Sequence, residues 1–271
     1  MSNLIETVSE AIISICTEEM VPRFRALDPS EIGSKDGGDV VTIVDTICEQ
    51  RLSAALTGLL PGSVVVGEEG VAANSTVLDR LNGYDDAWLI DPLDGTKNFA
   101  EGSADFASMV ALVRRQEVVG GWIYLPSTGI ISAAERGAGV SIDGARRTFS
   151  ADKSVSSLTG NYNLPAKGAR RERLLPLREA TDRQIPIGCA GSSYLNLIRG
   201  VVDFVLFHNL HPWDHAPGSL MIEEAGGVAR LANGENYTVV HRRGPMIGAS
   251  SEQLWQSLAG LMQIEEAPST A

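Results

Sequence analysis

The chain has 271 residues, with 22 lysines and arginines against 34 aspartates and glutamates, a formal net charge of −12. That length suffices for one large domain or two small ones, and 44% hydrophobic with 21% charged residues excludes a globally disordered chain. The acid excess excludes an electrostatic binder of nucleic acid or of anionic membrane, since both depend on Lys and Arg.

The elements follow in chain order. Leu4, Ile5, Val8, Ile12 and Ile15 recur at helical spacing, so the chain opens with an amphipathic helix that Pro22 disturbs. This acidic start lacks the basic opening and apolar run of a signal peptide, and no stretch approaches the roughly 18 apolar residues of a membrane span. A polar, Gly-rich stretch from Asp28 to Asp39 is expected as a mobile loop. A second helix is expected from Asp45 to Leu56. Strand-like runs follow at Ser63–Gly67, Ala87–Ile90, Ser108–Arg114, Val118–Tyr124 and Ile130–Ala134, and Asp143-Gly144 predicts a tight hairpin turn.

After Ser150 the pattern changes to alternating helix and strand. Helices are expected at Arg170–Ala180, Ser193–Arg199, from Trp213 to a stop at Gly226-Gly227, and at Ser251–Met262 before an acidic tail. Strands are expected at Val202–Phe207, Val228–Leu231, Tyr237–Val240 and Met246–Ala249. The pattern gives an α+β or layered α/β fold, one unit with halves at 1–150 and 151–271. Cys16, Cys48 and Cys189 show neither a disulfide framework nor zinc-ligand spacing and are expected as small apolar core residues of a reducing cytoplasm.

The acids are not scattered evenly. In Trp88-Leu-Ile-Asp91-Pro-Leu-Asp94-Gly95-Thr96-Lys-Asn-Phe99 an apolar strand runs into two carboxylates three residues apart. These can converge on one point and leave the Gly95 and Thr96 amides free to cradle a phosphate. The same residues also suit plain turn chemistry, with Asp94 as a helix cap. Glu68 and Glu69 end another apolar strand, Asp214 starts a helix, and Thr42 and Asp45 stand where a loop enters a helix. Several carboxylates at element ends suit Mg²⁺ or Mn²⁺, and the lack of clustered His and Cys argues against zinc. An acidic Ca²⁺ module is the weakest reading, because the EF-hand loop pattern is missing.

Four segments together resemble the signature set of the inositol monophosphatase family: Asp39-Val-Val-Thr-Ile-Val-Asp45, Gly67-Glu-Glu69, Trp88 to Phe99, and Trp213-Asp214 with Glu224-Ala-Gly-Gly227. Gly137-Ala-Gly139 and Gly191-Ser-Ser193 resemble it too. The resemblance implies an αβαβα sandwich of the sugar-phosphatase type, a Mg²⁺-dependent and lithium-sensitive phosphomonoesterase, and a homodimer in the cytoplasm acting on a small phosphorylated substrate. It implies that Glu68, Asp91 and the Leu93 carbonyl hold one Mg²⁺ and that Asp91, Asp94 and Asp214 hold a second, with a third met by Glu68 through water. Thr96 and Asp45 would orient and deprotonate the attacking water. Gly95 and Thr96 amides would bind phosphate, and Gly191, Ser192 and Ser193 would border the substrate.

One position departs from the inositol pattern. Where inositol-specific members carry an acid that grips substrate hydroxyls, seven residues before the aspartate of Trp-Asp, this chain has Phe207. An aromatic ring accepts no hydroxyl hydrogen bond, so the chemistry carries over better than inositol does. Histidinol phosphate and other sugar phosphates stay open, as does a non-catalytic phosphate- or partner-binding member. A nucleotide 3′-phosphate is disfavoured because no basic cluster for a second phosphate lies near the motifs.

Overall fold

The helical spacing near the start produces α1 (Ser2–Glu19), which buries Val8, Ile12, Ile15 and Cys16. This helix opens the computed structural model, which describes residues 2–35, 38–83, 86–149, 153–186 and 188–262. The acidic tail and the join near 150 lie outside the described residues.

The stretch expected as a loop is partly regular. Asp28 caps a single turn at Pro29–Glu31, accepting the Ser30 N–H at 2.9 Å while Glu31 accepts the Asp28 N–H at 2.9 Å. Then β1 (Ile32–Ser34) pairs antiparallel with β2 (Val40–Thr42). A capping box and a short hairpin thus organise residues whose composition alone reads as loop.

Thr42 then caps α2 (Ile43–Leu59), which buries Val44, Cys48, Leu52 and Leu56 at four-residue spacing. Next come β3 (Val64–Gly67) and α3 (Glu68–Ala73), then β4 (Ala87–Asp94) and α4 (Thr96–Ala100). Four strands complete the first sheet at β5 (Ala107–Arg114), β6 (Glu117–Leu125), β7 (Ile130–Glu135) and β8 (Gly139–Ile142), closed by β9 (Ala145–Arg147). Asp143 and Gly144 turn the last hairpin with φ of 50° and 76°, as the Asp-Gly pair predicts. These seven strands stand in sequence order, parallel only between β3 and β4.

The second half contributes β10 (Thr159–Asn161), α5 (Ala169–Ala180), β11 (Arg183–Ile185), α6 (Ala190–Ile198) and β12 (Phe204–Asn209). It ends with α7 (Pro212–Glu224), β13 (Val228–Leu231), β14 (Arg243–Ala249) and α8 (Glu252–Leu261). The five-stranded sheet runs β11-β10-β12-β14-β13. The strand expected at Tyr237–Val240 is not one. β14 is already paired on both edges, and a turn in which His241 N–H donates to the Thr238 carbonyl folds this segment back.

Side-chain alternation stacks the layers. Trp88, Ile90, Val110 and Leu112 pack with α1 and α2, while Leu89, Met109 and Ala111 face α6 and α7. Val205 and Phe207 join that central core from the second sheet, whereas Phe204 and Leu206 face α5 and α8. The result is an αβαβα sandwich, and because both faces of each sheet are covered, its central strands read as unbroken apolar runs. The three cysteines are buried free thiols. Among the described residues no helix is long and apolar enough to cross a membrane.

Candidate active site

The parallel register of β3 and β4 sets the site. Gly67 pairs with Ile90, so the next residues, Glu68 and Asp91, fall side by side where β3 ends, with Asp91 still paired to Met109 of β5. A bulge between Asp91 and Asp94 interrupts pairing with β5 and bends β4 at Pro92-Leu93. Asp91, only 2% exposed, accepts the Leu93 N–H at 3.0 Å. Asp94 accepts the Gly191 N–H at 2.6 Å and the Cys189 thiol at 2.9 Å at the start of α6. Asp214 lies in the first turn of α7.

These carboxylates disturb one another. Burial, then the charges of Glu68, Asp214 and Asp94, holds Asp91 well above the ordinary carboxylate range. Burial, then Asp94 and Glu68, does the same to Asp214. Asp94 is pushed to about 6 by burial against the hydrogen bonds it accepts. Glu68 and Glu69 share the Lys35 ammonium at 2.7 and 2.6 Å. Burial works against that ammonium's charge, but the two carboxylates outweigh it and hold its pKa above the usual lysine value. Among the described residues no three acidic, imidazole or thiol groups close into a ready coordination set. The donor set is nonetheless of hard oxygens, buried, mutually repelling and short of positive charge, which fits a Mg²⁺-like cation.

Beside the acids, α2 and α4 bring together two residues 51 apart in the chain. Asp45, 1% exposed, accepts the Thr42 N–H at 2.8 Å and the Thr42 hydroxyl at 2.6 Å on one oxygen. Its other oxygen faces the Thr96 hydroxyl at 2.9 Å, which also lies 2.8 Å from the Leu93 carbonyl. Burial lifts Asp45 to about 6. Thr96 starts α4 after Gly95, whose φ of 83° is left-handed and whose added Cβ would meet the Asp105 carbonyl at 2.9 Å. The first amides of α4 lack acceptors within the helix.

Sequence reasoning missed Glu49. Its carboxylate accepts the Glu69 and Gly70 N–H groups, each at 2.8 Å, clamping the turn that presents Glu68. Gly67 leaves it room, since a Cβ there would lie 2.3 Å from the Glu49 carboxyl carbon. Burial raises Glu49 to about 7. Its place four residues after Asp45, on the same helix face, is the signal that could have found it.

Asp94 and Asp214 open onto a cavity of about 270 Å³, also lined by Cys189, Phe207, His208 and Arg170. Gly188, Cys189 and Ala190 line it rather than Gly191, Ser192 and Ser193. Ser193 is buried and donates its hydroxyl to the Cys189 carbonyl at 2.7 Å, so that oxygen is committed within α6. Phe207 packs against Tyr194 and His215, with ring centroids at 4.9 and 4.6 Å. Both nitrogens of His215 are engaged, by the Tyr194 hydroxyl and the Asn209 carbonyl. His211 stacks on Trp213.

A model of the inositol monophosphatase family matches residues 2–265. The chain belongs to this family. It is a phosphatase of the inositol monophosphatase type, and an inositol-1-monophosphatase of Rhizobium meliloti is 34% identical to it over 212 residues, 75% of this chain and 76% of the other. A histidinol-phosphatase of Mycobacterium tuberculosis is 32% identical over 225 residues, 76% and 78% of the two chains. The IMPase of Thermotoga maritima shares the fold, with a TM-score of 0.81 at 22% identity and 97% of both chains covered.

Proposed function

We propose that this family member hydrolyses a small alcohol or sugar phosphomonoester with Mg²⁺, and that Asp45 and Thr96 handle the proton of the attacking water. The hydrogen bond from the Thr96 hydroxyl to Asp45 beside the strand-end acids carries the reading. Glu68, Asp91 and the Leu93 carbonyl would hold one cation, and Asp91, Asp94 and Asp214 a second; Mn²⁺ suits the same oxygens. Such cations, when bound, neutralise phosphoryl and leaving-group charge and acidify water.

The remaining chemistry belongs to the chain. At neutral pH the Asp45 carboxyl, lifted to about 6, is mostly ionised yet basic enough to accept a proton. Thr96 passes its hydroxyl proton to Asp45 while its oxygen takes one from the water. The water oxygen bonds to phosphorus, the ester P–O bond breaks, and the alkoxide regains a proton from solvent. Gly95 and Thr96 amides hold the phosphate, whose negative charge suits a helix start. Phe207 turns an apolar wall to the alcohol, which disfavours inositol relative to other phosphoesters.

Family membership further supports a cytoplasmic homodimer inhibited by lithium, with most metal ligands in residues 1–150 and Asp214 and the substrate wall in 151–271. The test is phosphate release from a substrate panel with Mg²⁺ and with chelator. Asp91→Asn is expected to abolish Mg²⁺-dependent release while circular dichroism stays native. Near-normal turnover in that variant sinks the assignment.

A further inference from the structure

The acids of the site differ in how far the chain itself fills their oxygens. Asp91 accepts an amide from Leu93, and Glu68 faces the Lys35 ammonium. Asp94 is held more tightly: its Oδ2 takes both the Gly191 N–H at 2.6 Å and the Cys189 thiol at 2.9 Å. A carboxylate offers about four lone-pair sites, shared equally by its oxygens. Those two donors therefore fill Oδ2, and Oδ1 is the oxygen of Asp94 that is left for a cation.

Cys189 belongs to this contact more than to its helix. It is the N-cap of α6, where its sulfur accepts the Ser192 N–H at 3.3 Å. Helix starts favour Ser, Thr, Asp or Asn in that role, and a thiol is a weak acceptor. Capping alone does not account for a cysteine here. The residue is 1% exposed and stands over the phosphate turn, where a Cβ on Gly95 would lie 3.3 Å from its own Cβ. Gly191 closes in beside it. A Cβ at that position would meet the Ala107 Cβ at 2.6 Å, so only glycine brings this amide down onto Asp94 along β5.

Resting on the cation assignment above, we propose that Cys189 is a positioning residue that sets which divalent cation the site prefers. With the Gly191 amide it keeps Oδ2 of Asp94 off the cation, so Asp94 serves through one oxygen. Ca²⁺ gathers more oxygens than Mg²⁺ and often takes both from one carboxylate, whereas Mg²⁺ holds to a near-ideal octahedron. A one-oxygen Asp94 suits Mg²⁺ and denies Ca²⁺ a ligand. The amide is backbone and cannot be removed; the thiol can.

Cation binding to the metal-free protein tests this. Titration calorimetry with Mg²⁺ and with Ca²⁺ gives the ratio of their Kd values, and the melting temperature in chelator reports the fold. Cys189→Ala frees a site on Oδ2 and should move the ratio towards Ca²⁺ by about fivefold, the worth of one hydrogen bond. Cys189→Ser keeps a donor to Asp94 and should hold the parent ratio. Cys189→Ala should also melt lower in chelator, because the α6 cap is lost. That drop without a change of ratio is what a merely structural cysteine would give. A ratio unmoved in Cys189→Ala, or moved equally in Cys189→Ser, overturns the positioning role and leaves the cation site standing. Binding of neither cation by the parent overturns the cation assignment and this inference with it.

Discussion

Replacing Asp45 by Asn should separate what this residue does for catalysis from what it costs the fold. Burial lifts the Asp45 carboxyl from 3.8 to about 6. A carboxyl whose folded pKa lies above its unfolded value loses stability as the pH rises through that interval. Between pH 4 and pH 6 the unfolded chain gives up the proton while the folded chain keeps it, and above pH 6 the full penalty is present. Two units correspond to about 3 kcal/mol at pH 7. Asn keeps an oxygen for the two Thr42 donors, and its amide can donate to the Thr96 oxygen, so the geometry survives. Weaker neutral hydrogen bonds return about 1 kcal/mol, leaving a net gain of about 2 kcal/mol. For a chain of this size the melting temperature should rise by about 4 °C. Calorimetry in chelator at pH 7.5 and pH 4 measures it, and the gain should nearly vanish at the lower pH. Turnover with Mg²⁺ should meanwhile fall by about 10² to 10⁴, as for loss of a general base. A variant less stable than the parent at pH 7.5, or a gain independent of pH, would refute the burial argument. Unchanged turnover would remove Asp45 from the proton path.

Glu49→Ala should weaken Mg²⁺ binding about tenfold by titration calorimetry, because the Glu69 and Gly70 amides lose their acceptor and the turn presenting Glu68 slackens. Glu49→Gln keeps one carbonyl oxygen and should recover part of that affinity; equal loss in both would leave Glu49 with a merely structural role. Saturating Mg²⁺ should raise the melting temperature of the parent, by the linkage that gives about 2.7 kcal/mol at a hundredfold excess over Kd. An unchanged melting point at saturation would count against the acids at Glu68, Asp91, Asp94 and Asp214 forming one cation site.

A layered α/β fold was legible in strand runs followed by helix–strand alternation, and the αβαβα order came from the resemblance of the motif segments to the family. The short strands β10 and β11 were not legible. Three residues each give no periodicity, and β10 pairs with β11 on one side and β12 on the other through contacts remote in sequence. Tyr237–Val240 misled for the opposite reason: it carries strand residues, but pairing with β13 stops at a single bridge between Asn236 and Arg230 before the chain turns at Thr238–His241. At the site, Asp91 and Asp94 could be picked out because a strand that ends in two acids is locally inconsistent with core burial. Glu49 hid inside a helical pattern that explained it well enough. Arg170 hid among surface arginines, since only the fold shows that α5 lies against the cavity.

Charge links these cases. Folding brings Glu68, Asp91, Asp94 and Asp214 close enough that burial and mutual repulsion raise Asp91, Asp94 and Asp214. Such a cluster is held at a cost by the surrounding sheet and helices, as sites that bind cations are. The compensations on the protein side are few: the Lys35 ammonium on Glu68 and Glu69, and the amides that cap Asp94 and Glu49. A divalent cation would complete what these leave undone, and it would draw the phosphate to the Gly95-Thr96 turn. On the same reading the alcohol end would face the cavity that Phe207, His208 and Arg170 line beside Asp94 and Asp214. On the proposed reading the acids would hold the phosphate through metal, and discrimination among alcohols would fall to the other side chains that line this cavity.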